Sequence, residues 1–436
     1  MPGRIRVSES GDHFVDESGK PFFYLGDTVW SVFTHTREEE WLEYLRYRSR
    51  QGYNVVQINI LPQHDASGPG LGHSPFARGS DGSYDFTSFD ESYFERAERM
   101  LESALSFGFV PALVLLWCDY VPGTWLSKIK TGHVMPASAV APYVEYAAKR
   151  FARFKPIYLI AGDTADTDLQ IDEAWGYYET ALEAVKRVDP DALATLHLWG
   201  PKTQRYELPR RFLDCEYVDF FMYQSGHGFD WVSNPYSLPG HFSDAGRRRP
   251  IVNGEPCYEG IGHDRGRHDR RSVRRAVWLS LLSGAQAGVT YGAHGVWSWH
   301  EESAGFESWG GGNFKVPFRW RDALRFPGAW DVAAARWLFE RFDLFDLKPA
   351  GLSAGPVEDS AVAIGGNACL IYTSYPLPVQ VERDLSGYEW IVVDPERPGE
   401  IVRPAVHYEK GRTYFGMPHF NSDALFIGIS KSSSQE

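Results

Sequence analysis

The chain has only four cysteines in 436 residues, Cys118, Cys215, Cys257 and Cys369, and their spacing matches neither a metal site nor a redox pair. That excludes a disulfide framework, a zinc cluster and a Cys-x-x-Cys oxidoreductase, and it reads as ordinary thiols in a reducing compartment. Runs of about 18 apolar residues are absent, so no segment reads as a membrane-spanning helix. The amino terminus, MPGRIRVSESG, lacks the charged-then-apolar pattern of a secretory signal, and the expected address is cytoplasmic. Basic residues are in deficit, with 44 Lys and Arg against 57 Asp and Glu and a net charge of −13. This balance argues against nucleic acid and anionic membrane surfaces as partners. The one basic cluster, Arg265–Arg275, is expected to be a loop and the exposed start of a helix. Homo-oligomerisation is left open.

What is abundant is apolar and aromatic: 43% of residues are hydrophobic, 15% are aromatic, and there are 15 Trp and 23 Tyr. This is enough for a large core and more than one domain. Indole and phenol faces are also the surfaces on which sugar rings stack.

Short apolar runs that stop abruptly at polar residues recur along the chain. They are Phe22–Asp27, Asn54–Ile60, Phe109–Trp117, Ile157–Asp163, Leu193–Trp199, Val218–Gln224, Ile251–Glu255 and Gly288–Tyr291 with its continuation to His294. Segments of helical period separate them; Thr36 with Glu39 three residues on predicts the cap of the first helix. Eight strand-then-helix units over residues 1–345 predict a (β/α)8 barrel, with an amino-terminal hairpin across its floor. Near-continuous apolar strands fit parallel pairing with both faces covered. From about residue 346 to 436 the helical period disappears, and alternating segments such as Ala368–Thr373 and Leu425–Ile429 predict an antiparallel β-sandwich.

In such a barrel the active site lies at the carboxyl ends of the strands. Those ends carry Asp27, Asn59, Trp117, Asp163, His197, Trp199, Gln224, His227, Glu255, Tyr291 and His294. A buried carboxylate costs several kcal/mol unless it is paired or used, so Asp163 and Glu255 call for a functional explanation. They close the fourth and seventh strands, which lie roughly opposite, and two carboxylates facing each other across a substrate are what glycoside hydrolysis requires. The long loop after the second strand, Leu61–Phe89, is expected to wall the pocket, and with the loop after the third strand it points to exo action. No cofactor is expected: Gly310-Gly311-Gly312 lacks the Lys-Ser/Thr of a phosphate loop and reads as a rim. No metal is expected either, because His197, His227 and His294 fit no compact ligand motif, and Asp166, Asp168 and Asp172 do not match a calcium loop.

Several stretches in order, FFYLGDTVW (22–30), GYNVVQI (52–58), AGD (161–163), QSGH (224–227), NGEPCYE (253–259) and YGAHGVW (291–297), closely resemble the apiosidase-like family of glycoside hydrolases. The resemblance covers essentially the whole chain. It implies a (β/α)8 barrel followed by a small β-domain once labelled collagen-binding, a label that nothing in this sequence supports. It implies Asp163 as general acid/base and Glu255 as nucleophile, in agreement with the strand-end argument. Asp27, Trp30, Asn59, Trp117, His197, Gln224, His227, Tyr258, Tyr291, His294 and Trp297 are the expected substrate contacts. Glu259 reads either as a partner behind the site or as a surface acid. Ala161, where the family commonly has Gly, and the loop Thr164–Asp168 depart from the pattern and bear on the substrate more than on the chemistry. The expected substrate is a carbohydrate with a terminal apiosyl-like or other furanosyl residue. The alternatives are a glycosidase or transglycosylase for another sugar, or a carbohydrate-binding barrel without catalysis.

Overall fold

A computed structural model of the protein describes residues 3–80, 82–200, 206–243, 245–263, 266–307, 314–356 and 358–431. Eight parallel strands form a closed barrel: β1 (Tyr24–Thr28), β2 (Val55–Asn59), β3 (Val110–Trp117), β4 (Ile157–Gly162), β5 in two pieces (Ala194–Thr195 and His197–Leu198), β6 (Phe221–Gln224), β7 (Ile251–Glu255) and β8 (Gly288–Tyr291). The break in β5 closes the barrel, because its first piece pairs with β4 and its second with β6. Apart from Ile251 every residue of these strands is buried, as expected when helices cover a parallel sheet. The covering layer includes Glu38–Gln51, Glu91–Ser106, Ala137–Phe151, Asp172–Val188, Arg270–Leu282 and Gly328–Phe342. The first of these starts one residue later than its sequence cap predicts: Arg37 is the cap residue, and Glu40 accepts from the Arg37 N–H at 3.1 Å. Three short antiparallel strands, Arg6–Val7, Phe14–Val15 and Pro21–Phe22, bring Phe14 against Phe220 and Tyr24 at the amino-terminal end of the barrel.

The carboxy-terminal region is an antiparallel sandwich. Its larger sheet has the order Lys348–Pro349, Ser360–Ile364, Ala368–Thr373, Ala424–Ser430, Tyr388–Asp394, Arg397–Val402. The smaller sheet has the order Val379–Val381, Arg412–Phe415, Val406–Glu409. Val362, Ile371, Val392 and Phe426 pack between the sheets against Val381 and Phe415, while Ala363, Leu370, Tyr372 and Ile427 on the other face join the barrel core.

The arginine run corrects the sequence reading. Arg265 and the Gly310–Gly312 segment lie outside the described residues. Arg270, Arg271, Arg274 and Arg275, expected at an exposed helix start, instead seam the barrel to the sandwich. Arg274, 1% exposed, sits between Asp331 at 2.6 Å and Asp423 at 2.7 Å. Arg270 bridges Asp331 and Glu396, Arg271 donates to the Ser374 carbonyl, and Arg275 donates to the Glu358 carbonyl. Asp423 lies 149 residues from Arg274, so no local pattern announces the pairing.

Candidate active site

Loops following all eight strands converge on a cavity of about 440 Å³ at the carboxyl end of the barrel. Trp30, Trp117, Asp163, Gln224, His227, Glu255, Tyr258 and Trp297, all expected from the sequence, line it. So do Gln63, His64 and Asp65 from the long loop after β2. That loop is tied down on its far side, where Ala66–Gly68 pairs antiparallel with Gly305–Glu307, and it forms the expected wall.

Two glycines position the acids. Tyr223 pairs with Asn253 and Gln224 with Glu255, which leaves Gly254 as an extra residue on β7. Such a bulge re-aims the next side chain, here Glu255, into the mouth. A Cβ on Gly254 would lie 2.5 Å from the Met222 side chain and 3.0 Å from His197. Asn253 holds the bulge by donating to Ser225 Oγ and Ser280 Oγ, both at 2.9 Å. On β4, a Cβ on Gly162 would lie 2.1 Å from the Trp117 ring, so only glycine lets the indole cover this strand end. Asp163 follows with φ of 53°, a left-handed conformation that Asp tolerates better than most residues and that is common at functional sites.

The environments of the two carboxylates differ. Gln224 Nε2 donates to Asp163 Oδ1 at 3.2 Å, and the Trp125 indole donates to the Asp163 carbonyl at 2.9 Å. Burial, reinforced by the charge of Glu255, holds the Asp163 carboxyl well above the usual carboxylate range. Glu255 faces two imidazoles, with His227 Nε2 at 2.8 Å from Oε1 and His197 Nε2 at 3.5 Å from Oε2. The Tyr258 backbone N–H donates to His227 Nδ1 at 3.1 Å. Nδ1 is therefore an acceptor, the ring proton is on Nε2, and His227 donates to Glu255. Burial pushes the His197 imidazole below its ordinary range, against the pull of Glu255. His64, beside Asp65 at 3.2 Å, goes the other way: burial opposes its charge, but Asp65, with Asp119 and Asp163, raises it on balance.

Asp163, His197 and Glu255 each place a ligand atom within 4.8 Å of the others, and among the described residues this is the one His, Cys, Asp and Glu group that converges as a metal site would. An Asp163 that holds a proton competes with any cation there.

Five expected contacts do not line the cavity. Asp27 faces outward and accepts from Tyr44 Oη at 2.6 Å and Arg48 Nε at 2.5 Å, behind the barrel wall. Tyr291, its register partner on β8, points the same way and donates to Glu259 Oε2 at 2.6 Å. His294 is buried against the Lys315 carbonyl at 3.0 Å. Asn59 donates to Gln63 at 3.2 Å and touches the cavity only through it. His197 is fully buried and meets the site through Glu255. Strand-end position identified all of these but does not tell which face of the sheet a residue takes. Asp230 and Trp231, in a single 3-10 turn (Phe229–Val232), and Trp125 and Phe314, in loops, also line the cavity, where no periodicity marks them. Glu259 is buried, accepts from Tyr291 and from the Gly328 N–H, and burial raises its carboxyl to about 7.

A barrel mouth that presents the half-buried Asp163 and the buried Glu255, with a carboxylate oxygen of each within 4.8 Å of the other, is an arrangement that glycoside hydrolysis can use. The chain belongs to the apiosidase-like family: the model of its catalytic domain matches residues 8–346, and the protein is a glycoside hydrolase. Among solved structures it is similar to one described as a glycoside hydrolase, with a TM-score of 0.78 at 20% identity, covering 99% of this chain and 97% of the other. It is equally similar to a glycoside hydrolase family 5 protein from Bacteroides vulgatus, with a TM-score of 0.78 at 21% identity and coverage of 99% and 94%. At these identities the likeness speaks for the fold. No curated protein sequence matches the chain. Among the described residues no helix is long and apolar enough to cross a membrane.

Proposed function

We propose that the chain is an exo-acting, retaining glycosidase that releases a terminal apiosyl or other furanosyl residue, with Asp163 as acid/base and Glu255 as nucleophile. The observation that carries this reading is the approach of the two carboxyl groups to within 4.8 Å, with Asp163 held well above the usual carboxylate range by burial and then by the charge of Glu255. Retaining enzymes set the pair about 5–5.5 Å apart, whereas inverting enzymes leave about 6.5–9.5 Å for a water. Asp163 donates its proton to the glycosidic oxygen while Glu255, with its second oxygen held by His227, attacks the anomeric carbon. The bond to the leaving group breaks and a glycosyl ester forms on Glu255. Asp163, now a carboxylate, takes a proton from water, and that water releases the sugar. The enclosing loop after β2 and the cavity volume favour one terminal sugar over an internal stretch of polymer. The furanosyl preference rests on the family to which the catalytic domain belongs.

The test is hydrolysis of aryl apiosides, arabinofuranosides, galactosides and fucosides by the native chain, Glu255→Gln and Asp163→Asn. One glycoside should be turned over, Glu255→Gln should lose at least about 10³-fold in kcat, and the first sugar released should keep its anomeric configuration by NMR. Native-like rates in both variants would remove the site assignment, and an inverted product would remove the nucleophile.

A further inference from the structure

The interior of a barrel of this kind is filled chiefly by branched apolar side chains. Around Gly254, the residue before Glu255, this one is polar instead. Tyr24 and Thr28 from β1, Gln57 from β2 and Thr290 from β8 are all fully buried. Tyr24 Oη donates to Gln57 Oε1 at 3.1 Å, so the Gln57 amide nitrogen faces the other way. It donates to the Gly254 carbonyl at 3.0 Å and to Thr28 Oγ1 at 3.2 Å. Thr290 Oγ1 donates to the same carbonyl at 2.6 Å. Room for this convergence comes from Gly26 on β1, where a Cβ would lie 2.6 Å from the Thr290 methyl and 2.9 Å from the Tyr24 ring.

Gly254 needs these donors because of the bulge. β6 pairs with Asn253 and then with Glu255, and β8 pairs with Val252 and Asn253, so among the described residues Gly254 has no register partner on either side. A buried carbonyl that leaves the ladder must find its donors elsewhere. Here two side chains anchored on different strands hold it, and on the other edge of the same peptide Asn253 Oδ1 accepts from the Glu255 N–H at 3.3 Å. A peptide is planar, so fixing its carbonyl fixes the N–H and Cα of the next residue with it. That next residue is Glu255.

On the proposed two-carboxylate reading, we infer that Gln57 and Thr290 are positioning residues for the nucleophile: by sharing the Gly254 carbonyl they hold the bulge peptide in the orientation that aims Glu255 at the anomeric carbon and at His227. Neither lines the cavity, so they act on the reaction only through Glu255. Because the two donors share one acceptor, either alone keeps the peptide in place. The aim is lost when both are gone.

The test is a double-mutant cycle in the full chain, read by kcat and KM on the fastest aryl glycoside at a temperature where circular dichroism shows every variant folded. Gln57→Leu and Thr290→Val should each lower kcat about threefold with KM within about twofold. Together they should lower kcat about 10²-fold, the scale of a misplaced reacting group and well beyond the roughly tenfold product of the two. Gln57→Leu/Thr290→Ser, which keeps the hydroxyl donor, should return to the level of Gln57→Leu alone. A double variant that loses no more than the product, or a serine variant no better than the valine one, would overturn the assignment. Where the double variant does not fold, the single variants decide: threefold losses in kcat at native KM support the positioning, and native kcat in both overturns it. A second readout is independent of turnover: the ring-nitrogen NMR shifts of His227, whose Nε2–H bonds Glu255. They should move in Gln57→Leu/Thr290→Val and stay near native in Gln57→Leu/Thr290→Ser; native shifts in both overturn the positioning even if no glycoside is hydrolysed. Shifts that move alongside a fully active Glu255→Gln would instead retain the positioning of Glu255 and remove its role as nucleophile.

Discussion

Carboxylates are withdrawn from solvent in several parts of this molecule, and two of those regions handle them in opposite ways. At the seam between barrel and sandwich, Asp331 takes bonds from both Arg270 and Arg274, and Asp423 takes them from Arg274, Ser422 and Tyr372. Each negative charge there is matched by a permanent positive one. At the mouth, the Asp163 carboxyl receives the amide of Gln224 and stands beside another acid, while Glu255 accepts from the His227 imidazole and has that of His197 3.5 Å away. Among the described residues neither forms an ion pair with Arg or Lys. A guanidinium fixes a charge, because it cannot release its proton. Amide, imidazole and a second carboxyl leave a proton free to move. The comparison separates burial that serves cohesion from burial that serves chemistry.

Importing the logic of the seam into the mouth should have the largest effect. Gln224→Lys sets a cation against Asp163, which favours its carboxylate and so opposes the burial that keeps it protonated. Turnover of glycosides with poor leaving groups should drop by about 10²–10⁴-fold, the usual share of a general acid. The alkaline limb of the pH profile should move to lower pH, because that limb reports Asp163 losing its proton. Nitrophenyl glycosides, whose leaving group needs little acid assistance, should be spared in the first step. A profile that stays in place would mean that Asp163 is not the acid.

Removing the guanidinium from the seam is the converse experiment. Arg274→Ala leaves Asp423 buried with an uncompensated charge and Asp331 with Arg270 alone, and should cost about 3–5 kcal/mol of stability in denaturant unfolding. Adding Asp423→Asn should recover part of that, since the orphaned charge goes with it. If Arg274→Ala alone unfolds as the native chain does, the seam is not cohesive and the contrast with the mouth fails.

Glu259 stands between the two cases, buried with a hydroxyl and an amide N–H for partners and held at about 7. Its carboxyl binds a proton more tightly folded than unfolded, so its contribution to stability is complete below about pH 4.5 and is lost as the pH rises through 7. Glu259→Gln should leave stability near pH 4.5 unchanged and gain roughly 3 kcal/mol over the native chain at pH 8. The difference between two denaturation series taken at these pH values isolates it, because the other groups titrate in both.

Much of this contrast was readable in the chain and some was not, for definite reasons. Apolar runs that end in Asp163, Gln224 and Glu255 announce strand ends, since buried parallel strands tolerate polar groups only at their tips. Asp27 and Tyr291 carry the same signal yet point into the helix layer, because the two-residue alternation of a strand sends neighbours to opposite faces. The sandwich strands Ala368–Thr373 and Ala424–Ser430 are apolar and legible; Arg397–Val402 and Val406–Glu409, mostly exposed, are not. The arginine run read as a solvated face because its acids follow by tens to more than a hundred residues. His64 and Trp125 lie in loops and Trp231 in a single 3-10 turn, where side-chain placement follows from tertiary contacts.

The finest test of the contrast concerns His227, whose proton position is set by a backbone amide. Tyr258 N–H occupies Nδ1, so Nε2–H is available to Glu255 at 2.8 Å and orients the oxygen that does not attack. His227→Ala removes one hydrogen bond to a charged group, worth about 1.5–3 kcal/mol, and should lower kcat about 10–100-fold. His227→Gln, which can offer an amide N–H from a similar distance, should recover part of the rate, measured by kcat on the best aryl glycoside. An Ala variant with native kcat would show that His197, 3.5 Å from the other oxygen, suffices to hold the carboxylate. In that case the neutral support of Glu255 comes from the buried barrel interior and not from the loop after β6.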